Sequence, residues 1–164
     1  MAMTMKMEGL EELEKMLSEV AENAEGIASL ALYDGAGVMA DAINAAVDGI
    51  RTEPFHYAAT ASTSRLPSPE EKALLKQGAA GIAKFKKDAM GAETSVGFKE
   101  SGYGDLNGKT KPIPLVANAI NSGTSFMKKQ PFFRTAVNRA KAAAQAAIEA
   151  KGQQLFDEIG TKYK

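Results

Sequence analysis

The chain has 164 residues, no cysteine and a formal net charge of zero, with 20 basic and 20 acidic side chains. This length suits one compact domain with its own hydrophobic core. The absence of cysteine excludes thiolate catalysis, disulfides and cysteine-based zinc sites. No apolar run approaches the roughly 18 residues that a membrane span needs, and no signal peptide is predicted, so folding in the cytoplasm is expected.

The charges are distributed unevenly along the chain. Residues 1–50 carry ten acidic and two basic side chains, whereas residues 128–164 carry three acidic and eight basic ones. These segments could pair within one fold or between neighbouring copies, or their charges could simply be solvated. The basic segment lacks the interleaved aromatics of single-strand nucleic-acid binders, and the flat net charge does not predict a DNA-affinity protein.

Two helices are predicted in the first third of the chain, after an N-terminal arm over residues 1–8 that is expected to be mobile. The first helix begins near Gly9, and the second spans residues 24–47. Gly35 and Gly37 weaken the second helix, because each glycine costs about 1 kcal/mol relative to alanine. A bend or a close contact with another backbone would explain both glycines.

A loop is predicted over residues 51–67, and a helix with a strong start signal follows it. Ser68 is placed as the N-cap, Pro69 as the first helical residue, and Glu71 completes a capping box. This helix reaches Leu75 and extends to Ile82 unless the intervening glycines end it.

Strand signals begin near residue 94, where Thr94, Val96 and Phe98 alternate with polar or small residues. Residues 102–114 are rich in Gly, Asp, Asn and Pro, which predicts a turn or a long hairpin loop. Residues 115–121 fit either a strand or a short helix. Pro131 then marks the start of a long, alanine-rich C-terminal helix.

Two adjacent aromatic residues open this last helix. Neighbouring helical side chains point about 100° apart, so one narrow face cannot bury both Phe132 and Phe133. One ring could enter the core while the other meets a partner. Alternatively, both are buried because the helix lies between two other elements, and the sequence slightly favours this second interpretation.

Residues suited to catalysis or to metal binding are scarce. The single His56, next to Glu53 in a proline-containing loop, is the only basis for a hydrolase or a metal site. Phosphate-binding glycine loops and zinc-protease motifs are absent, and residues 102–108 do not match a calcium loop. We therefore predict no catalytic, cofactor-binding or metal site, and no cofactor.

Two short segments resemble a family of siphophage head–tail joining (neck, or minor tail) proteins. They are Ser122-Gly123-Thr124-Ser125-Phe126 and Gln130-Pro131-Phe132-Phe133-Arg134, followed by an alanine- and lysine-rich helix. The N-terminal run from Lys6 to Leu13 is also similar to this family, as is the block from Ser68 to Lys76. The family's usual Thr-Gly-x-Leu turn is missing, and residues 62–66 stand in its place without a glycine.

The resemblance implies an α+β fold: a small antiparallel sheet packed with two N-terminal helices and a long C-terminal helix. It implies a structural, non-enzymatic ring subunit that joins the phage head to the tail around a DNA channel, without sequence-specific DNA binding. The partners would be further copies of the chain and neighbouring connector or tail proteins, in the virion and, during assembly, in the host cytoplasm. The residues expected to shape these contacts are Ser122, Gly123, Thr124, Pro131, Phe132, Phe133 and Arg134.

Two other functions compete with this one. A small DNA- or protein-binding adaptor is weakly favoured by the basic C-terminal segment. An enzyme would have to rely on His56, and the sequence indicates no substrate for it.

Overall fold

The computed structural model describes residues 10–54, 64–88, 91–99 and 102–162. In chain order the described elements are α1 (Leu10–Asp48), α2 (Pro69–Gly78), β1 (Gly81–Ile82), β2 (Lys86–Asp88), β3 (Gly91–Glu93), β4 (Val96–Gly97), β5 (Tyr103–Leu106), β6 (Lys109–Pro112), α3 (Ile113–Ser122) and α4 (Phe132–Thr161). Helices and short antiparallel ladders share one core, so the predicted α+β class is confirmed. The predicted arm over residues 1–8 lies outside the described residues.

The frame of the molecule is an antiparallel pair formed by the two long helices. Met16 of α1 lies near Gly160 of α4, and Gly35 lies against Ala144 and Ile148 farther along both helices. The 39-residue α1 replaces the two N-terminal helices that we predicted. No proline interrupts residues 10–48, and Ala and Glu at the predicted break are good helix formers, so the helix continues.

The helix α2 confirms the predicted start. The Ser68 hydroxyl accepts a hydrogen bond from the Glu71 N–H at 3.2 Å, and the Glu71 carboxylate accepts one from the Ser68 N–H at 2.7 Å. The helix ends at Gly78 rather than at Ile82. Lys72 of α2 donates hydrogen bonds to the carbonyls of Asp48 and Ile50, and it thereby satisfies the C-terminal end of α1.

The strands form three separate two-stranded antiparallel ladders instead of one small sheet: β1 with β4, β2 with β3, and β5 with β6. Each of these strands has only two to four residues. The loop predicted over residues 102–114 is instead mostly the β5–β6 hairpin. Asn107 and Gly108, both with positive φ (54° and 72°), form its two-residue turn.

The core lies where the C-terminal half of α1 meets α2, α3 and the start of α4. Ile43, Leu75 and Ile120 are fully buried there. The Asn44 side chain exchanges two hydrogen bonds with the Ala80 backbone, which fixes the segment after α2 against α1. This packing holds α3 and the first turns of α4 in a defined position. Residues 115–121 are helical, which settles the choice that the sequence left open.

Three acidic residues of the N-terminal segment form ion pairs within the fold, and one of these pairs reaches the basic C-terminal segment. Lys162 near the end of α4 pairs with Glu19 of α1, and Lys87 pairs with Glu25 of α1 at 2.9 Å. Lys76 also pairs with Asp48, and this contact lowers the pKa of the Asp48 carboxyl, through the hydrogen bond first and the charge of Lys76 second. Ion pairs within the fold therefore account for part of the uneven charge distribution along the chain.

Candidate functional site

The seven predicted contact residues lie together in the connection between α3 and α4. Ser122 is the last residue of α3, and the Gly123 N–H donates to the Ala119 carbonyl at 2.9 Å to close that helix. Pro131 occupies the N-cap position of α4, as predicted. Ser122, Thr124, Pro131 and Arg134 are exposed, whereas Gly123 is half-buried. We call residues 122–134 the α3–α4 junction.

A tight turn occupies the first part of the junction. The Thr124 N–H donates to the Met127 carbonyl at 3.0 Å, and the Met127 N–H donates back to the Thr124 carbonyl at 3.3 Å. The Thr124 hydroxyl accepts a third hydrogen bond, from the Phe126 N–H, at 3.2 Å. Met127 is buried beneath the turn, whereas Phe126 is 68% exposed at its tip. The turn therefore presents an aromatic ring to solvent on a fixed backbone.

Distant parts of the chain hold the junction in place. Arg65 donates its N–H to the Phe126 carbonyl at 2.9 Å and accepts one from the Lys128 N–H at 2.8 Å. The Gln130 side chain pairs with both backbone groups of Arg51, at 2.9 and 3.0 Å. The end of α1 and the segment before α2 thus both position the start of α4.

The two adjacent aromatic residues of the junction, Phe132 and Phe133, pack inward. Phe132 is 8% exposed, and Phe133 is half-buried against the same core. Their ring centroids are 6.5 Å apart in an edge-on arrangement, and Phe98 meets Phe132 edge-on at 6.4 Å. The Asn121 side chain accepts a hydrogen bond from the Phe133 N–H at 3.2 Å. The structure therefore matches the interpretation in which α4 starts between two elements and neither ring is fully offered to a partner.

Gly123 is expected to resist substitution because its backbone adopts φ 78° and ψ 166°, a region that only glycine occupies readily. An added Cβ would also lie 3.0 Å from the Lys129 Cβ and 3.1 Å from the Lys129 nitrogen. We expect Gly123→Ala to lower the free energy of unfolding by roughly 1–2 kcal/mol in urea denaturation. The control is Gly152→Ala in α4, where nothing lies within 4 Å of the added atom; equal stability of both variants would contradict a strained junction.

A cleft runs between the C-terminal end of α1 and the first turns of α4. It has a volume of about 580 Å³. Its floor is apolar, and Arg51, Lys129 and Arg139 lie around it. We call this cleft the junction groove. The residues that line it are Ala42, Ala45, Ala46, Gly49, Ile50, Arg51, Lys129, Gln130, Pro131, Phe132, Thr135, Ala136 and Arg139.

A second, more polar cleft of about 650 Å³ adjoins the junction groove and shares Arg51, Lys129 and Gln130 with it. Lys128 and the hydroxyls of Ser122 and Thr124 also line it. No Asp or Glu is among the described residues that line either cleft. The positive end of the α4 dipole and the negative end of the α1 dipole both lie at the junction groove, so the four exposed cations set the sign of the local field. The arrangement suits an acidic or anionic surface with an apolar component.

None of the described residues form a group of three or more His, Asp or Glu side chains that could hold a metal ion. His56, the basis of the enzyme alternative, lies outside the described residues. Its neighbour Glu53 accepts a hydrogen bond from the Leu66 N–H, so this carboxylate helps to hold the chain before α2. In the part of the chain that the structure describes, no helix has the length and apolar character that crossing a membrane requires.

Searches of protein-family models, curated proteins and solved structures each returned no match for this chain.

Sequence reasoning missed four cations of the two clefts: Arg51, Lys128, Lys129 and Arg139. Arg51 stands 79 positions before Gln130, to which its backbone is bonded, and no local pattern connects such distant residues. The adjacent pair Lys128-Lys129 was the one available signal, since it directly precedes the Gln-Pro-Phe-Phe segment.

Proposed function

We propose that this chain is a structural subunit of a ring in the neck of a tailed bacteriophage or prophage, where it joins the head to the tail. In this role it has no catalytic activity and needs no cofactor. Its partners are further copies of itself and the neighbouring connector or tail proteins. DNA passes through the ring without sequence-specific binding.

The observation that carries the proposal is the resemblance of residues 122–126 and 130–134 to head–tail joining proteins. In the structure these residues form the α3–α4 junction, which hydrogen bonds to distant parts of the chain hold in place. The Arg65 backbone and the Asn121 side chain hydrogen-bond its backbone, and the Gln130 side chain ties it to the backbone of Arg51. A rigid junction that presents Phe126 and open clefts is consistent with a role in binding neighbours.

The decisive test is deletion of the coding sequence from the phage or prophage that carries it. After induction, electron microscopy of the lysate should show DNA-filled heads and separate tails, with few joined particles. Expression of the intact chain from a plasmid should restore joining, and this rescue controls for effects on neighbouring genes. Normal numbers of joined particles in the deletion strain would refute the proposal.

The cationic clefts favour one alternative, a small non-catalytic module that binds DNA or an acidic protein. Arg51, Lys128, Lys129 and Arg139 supply the charge for it. Contacts to duplex DNA would weaken steeply with salt, because each phosphate contact releases a counterion. Salt-sensitive binding at low micromolar protein, together with a strictly single-chain solution mass, would favour the module over the ring subunit.

A further inference from the structure

We propose that the N-terminal end of α1 docks into the junction groove of a second copy of this chain. This inference rests on the ring assembly proposed above, and it names the two surfaces that would form the ring contact. We call residues 10–22 the α1 tip. The contact is therefore heterologous: the tip of one copy enters the groove of the next.

The α1 tip is an exposed amphipathic helix end. Leu13 and Leu17 are 49% and 54% exposed, and their spacing of four places them on the same face. The tip carries five glutamates and one lysine, Lys15. The part of the tip before Met16 extends beyond the end of α4, since Met16 lies near Gly160 and α4 ends at Thr161. An apolar pair within an acidic segment is thus left uncovered by the partner helix.

The junction groove has the complementary composition. Its floor is made of alanines together with Ile50, Pro131 and Phe132, and its cations are Arg51, Lys129 and Arg139. Within the described residues, no ion pair involves any of these three cations. Leucines of an incoming helix would meet the apolar floor, and its carboxylates would meet the cations. Opposite potentials of this kind orient two protein surfaces and fix their register.

The geometry excludes the same contact within one chain. The groove contains Ala42, Ala46 and Ile50 at the far end of the helix that begins with the tip. Glu14 and Ala46 are 32 residues apart on one continuous helix, which corresponds to about 48 Å. The tip therefore reaches only the groove of another molecule. A contact between two different patches propagates head to tail, and it closes into a ring when the rotation per subunit allows.

An acidic helix fits the groove better than duplex DNA does. Phosphates would use the cations but leave the apolar floor without a partner. Leu13 and Leu17 use that floor, and burial of exposed apolar surface is the main driving force of association. DNA is accordingly an outcome that the experiment must separate from self-association.

Two variants of the full chain test the contact. The tip variant is Leu13→Ser/Leu17→Ser, and the groove variant is Lys129→Glu/Arg139→Glu. All four positions are exposed, so both variants are expected to fold, which far-ultraviolet circular dichroism checks. Matched controls are Leu115→Ser, an exposed leucine on α3, and Lys109→Glu/Lys111→Glu on β6. Light scattering after size exclusion measures the solution mass over protein concentration.

We expect the original chain and both controls to form the same discrete oligomer. Each test variant alone should dissociate at least about tenfold more readily, because central apolar and charged contacts dominate an interface. Mixing the two test variants should give a 1:1 pair and nothing larger. In that mixture the intact tip of the groove variant enters the intact groove of the tip variant, and no second contact is available.

An unchanged mass for either test variant, or no pairing in the mixture, would overturn the inference. So would an original chain that stays monomeric up to about 0.5 mM, because even weak contacts are populated at that concentration. Loss of DNA binding by the groove variant with unchanged assembly would assign the groove to DNA instead. Failure of the proposed function is distinguishable, because it is decided by joined particles in the deletion strain. If deletion blocks joining while the test variants keep their mass, only this interface is wrong.

Discussion

Replacing Glu71 with alanine is expected to lower the free energy of unfolding by about 3 kcal/mol. Glu71 is 7% exposed, and its carboxylate accepts hydrogen bonds from two nitrogens of Arg65 at 2.6 and 2.7 Å. It also accepts the N–H of the buried Ser68 at 2.7 Å. These side-chain hydrogen bonds raise the pKa of Arg65 above its ordinary value, and an arginine guanidinium is charged throughout the physiological pH range. The substitution by alanine would remove the negative charge that lies beside the Arg65 guanidinium, and the Arg65 side chain is only 21% exposed.

The matched control for Glu71→Ala is Lys76→Ala, which removes the exposed pair between Lys76 and Asp48. Both of these side chains are more than half exposed, and solvent screening leaves such surface pairs with little effect on stability. Glu71→Gln separates the two functions of the residue, because the amide oxygen can still accept the Ser68 N–H but carries no charge. Urea denaturation followed by circular dichroism measures all three variants. Equal losses for Glu71→Ala and Lys76→Ala would show that the buried pair contributes no more than a surface pair.

Local signals predicted the parts of the fold that local interactions determine. The capping box of Ser68 and Glu71 is complete within four residues, and the long alanine-rich helix α4 needs no distant partner to be recognised. The two predicted N-terminal helices are one helix because only proline or tertiary contacts would have broken the segment between them. The Asn107-Gly108 pair is a local signal for a two-residue hairpin turn, and it lies inside the segment that we predicted as a turn or a long hairpin loop. The division of the strands into three ladders depends on tertiary packing and was not predictable.

The candidate site was predictable only where it is continuous in sequence. Residues 122–134 form one junction, and the resemblance pointed to them as a block. Arg51 follows the end of α1 and Arg139 lies within α4, and their common position at the junction groove follows from the pairing of α1 with α4. The α1 tip could be recognised as acidic from the sequence. Its exposure, however, depends on where α4 ends beside α1, which our prediction of a break in α1 concealed.

Replacing Gly35 with alanine is expected to destabilise the fold by about 2 kcal/mol, although alanine is the better helix former by about 1 kcal/mol. Gly35 is buried where α1 crosses α4, and an added Cβ would lie 2.4 Å from Ile148 Cγ1 and 2.9 Å from the Ala144 carbonyl oxygen. The isoleucine can rotate away, but the carbonyl belongs to the backbone of α4. The two helices must therefore move apart, and contacts along both are weakened.

Gly37 provides the matched control for Gly35→Ala two positions along the same helix. Nothing lies within 4 Å of a Cβ added there, so Gly37→Ala should stabilise the fold by up to about 1 kcal/mol through helix propensity alone. The two substitutions are chemically identical, and only the contact with α4 gives their effects opposite signs. Thermal and urea unfolding should therefore place Gly35→Ala below the original chain and Gly37→Ala above it. If both variants are stabilised, α1 and α4 are not in close contact at Gly35.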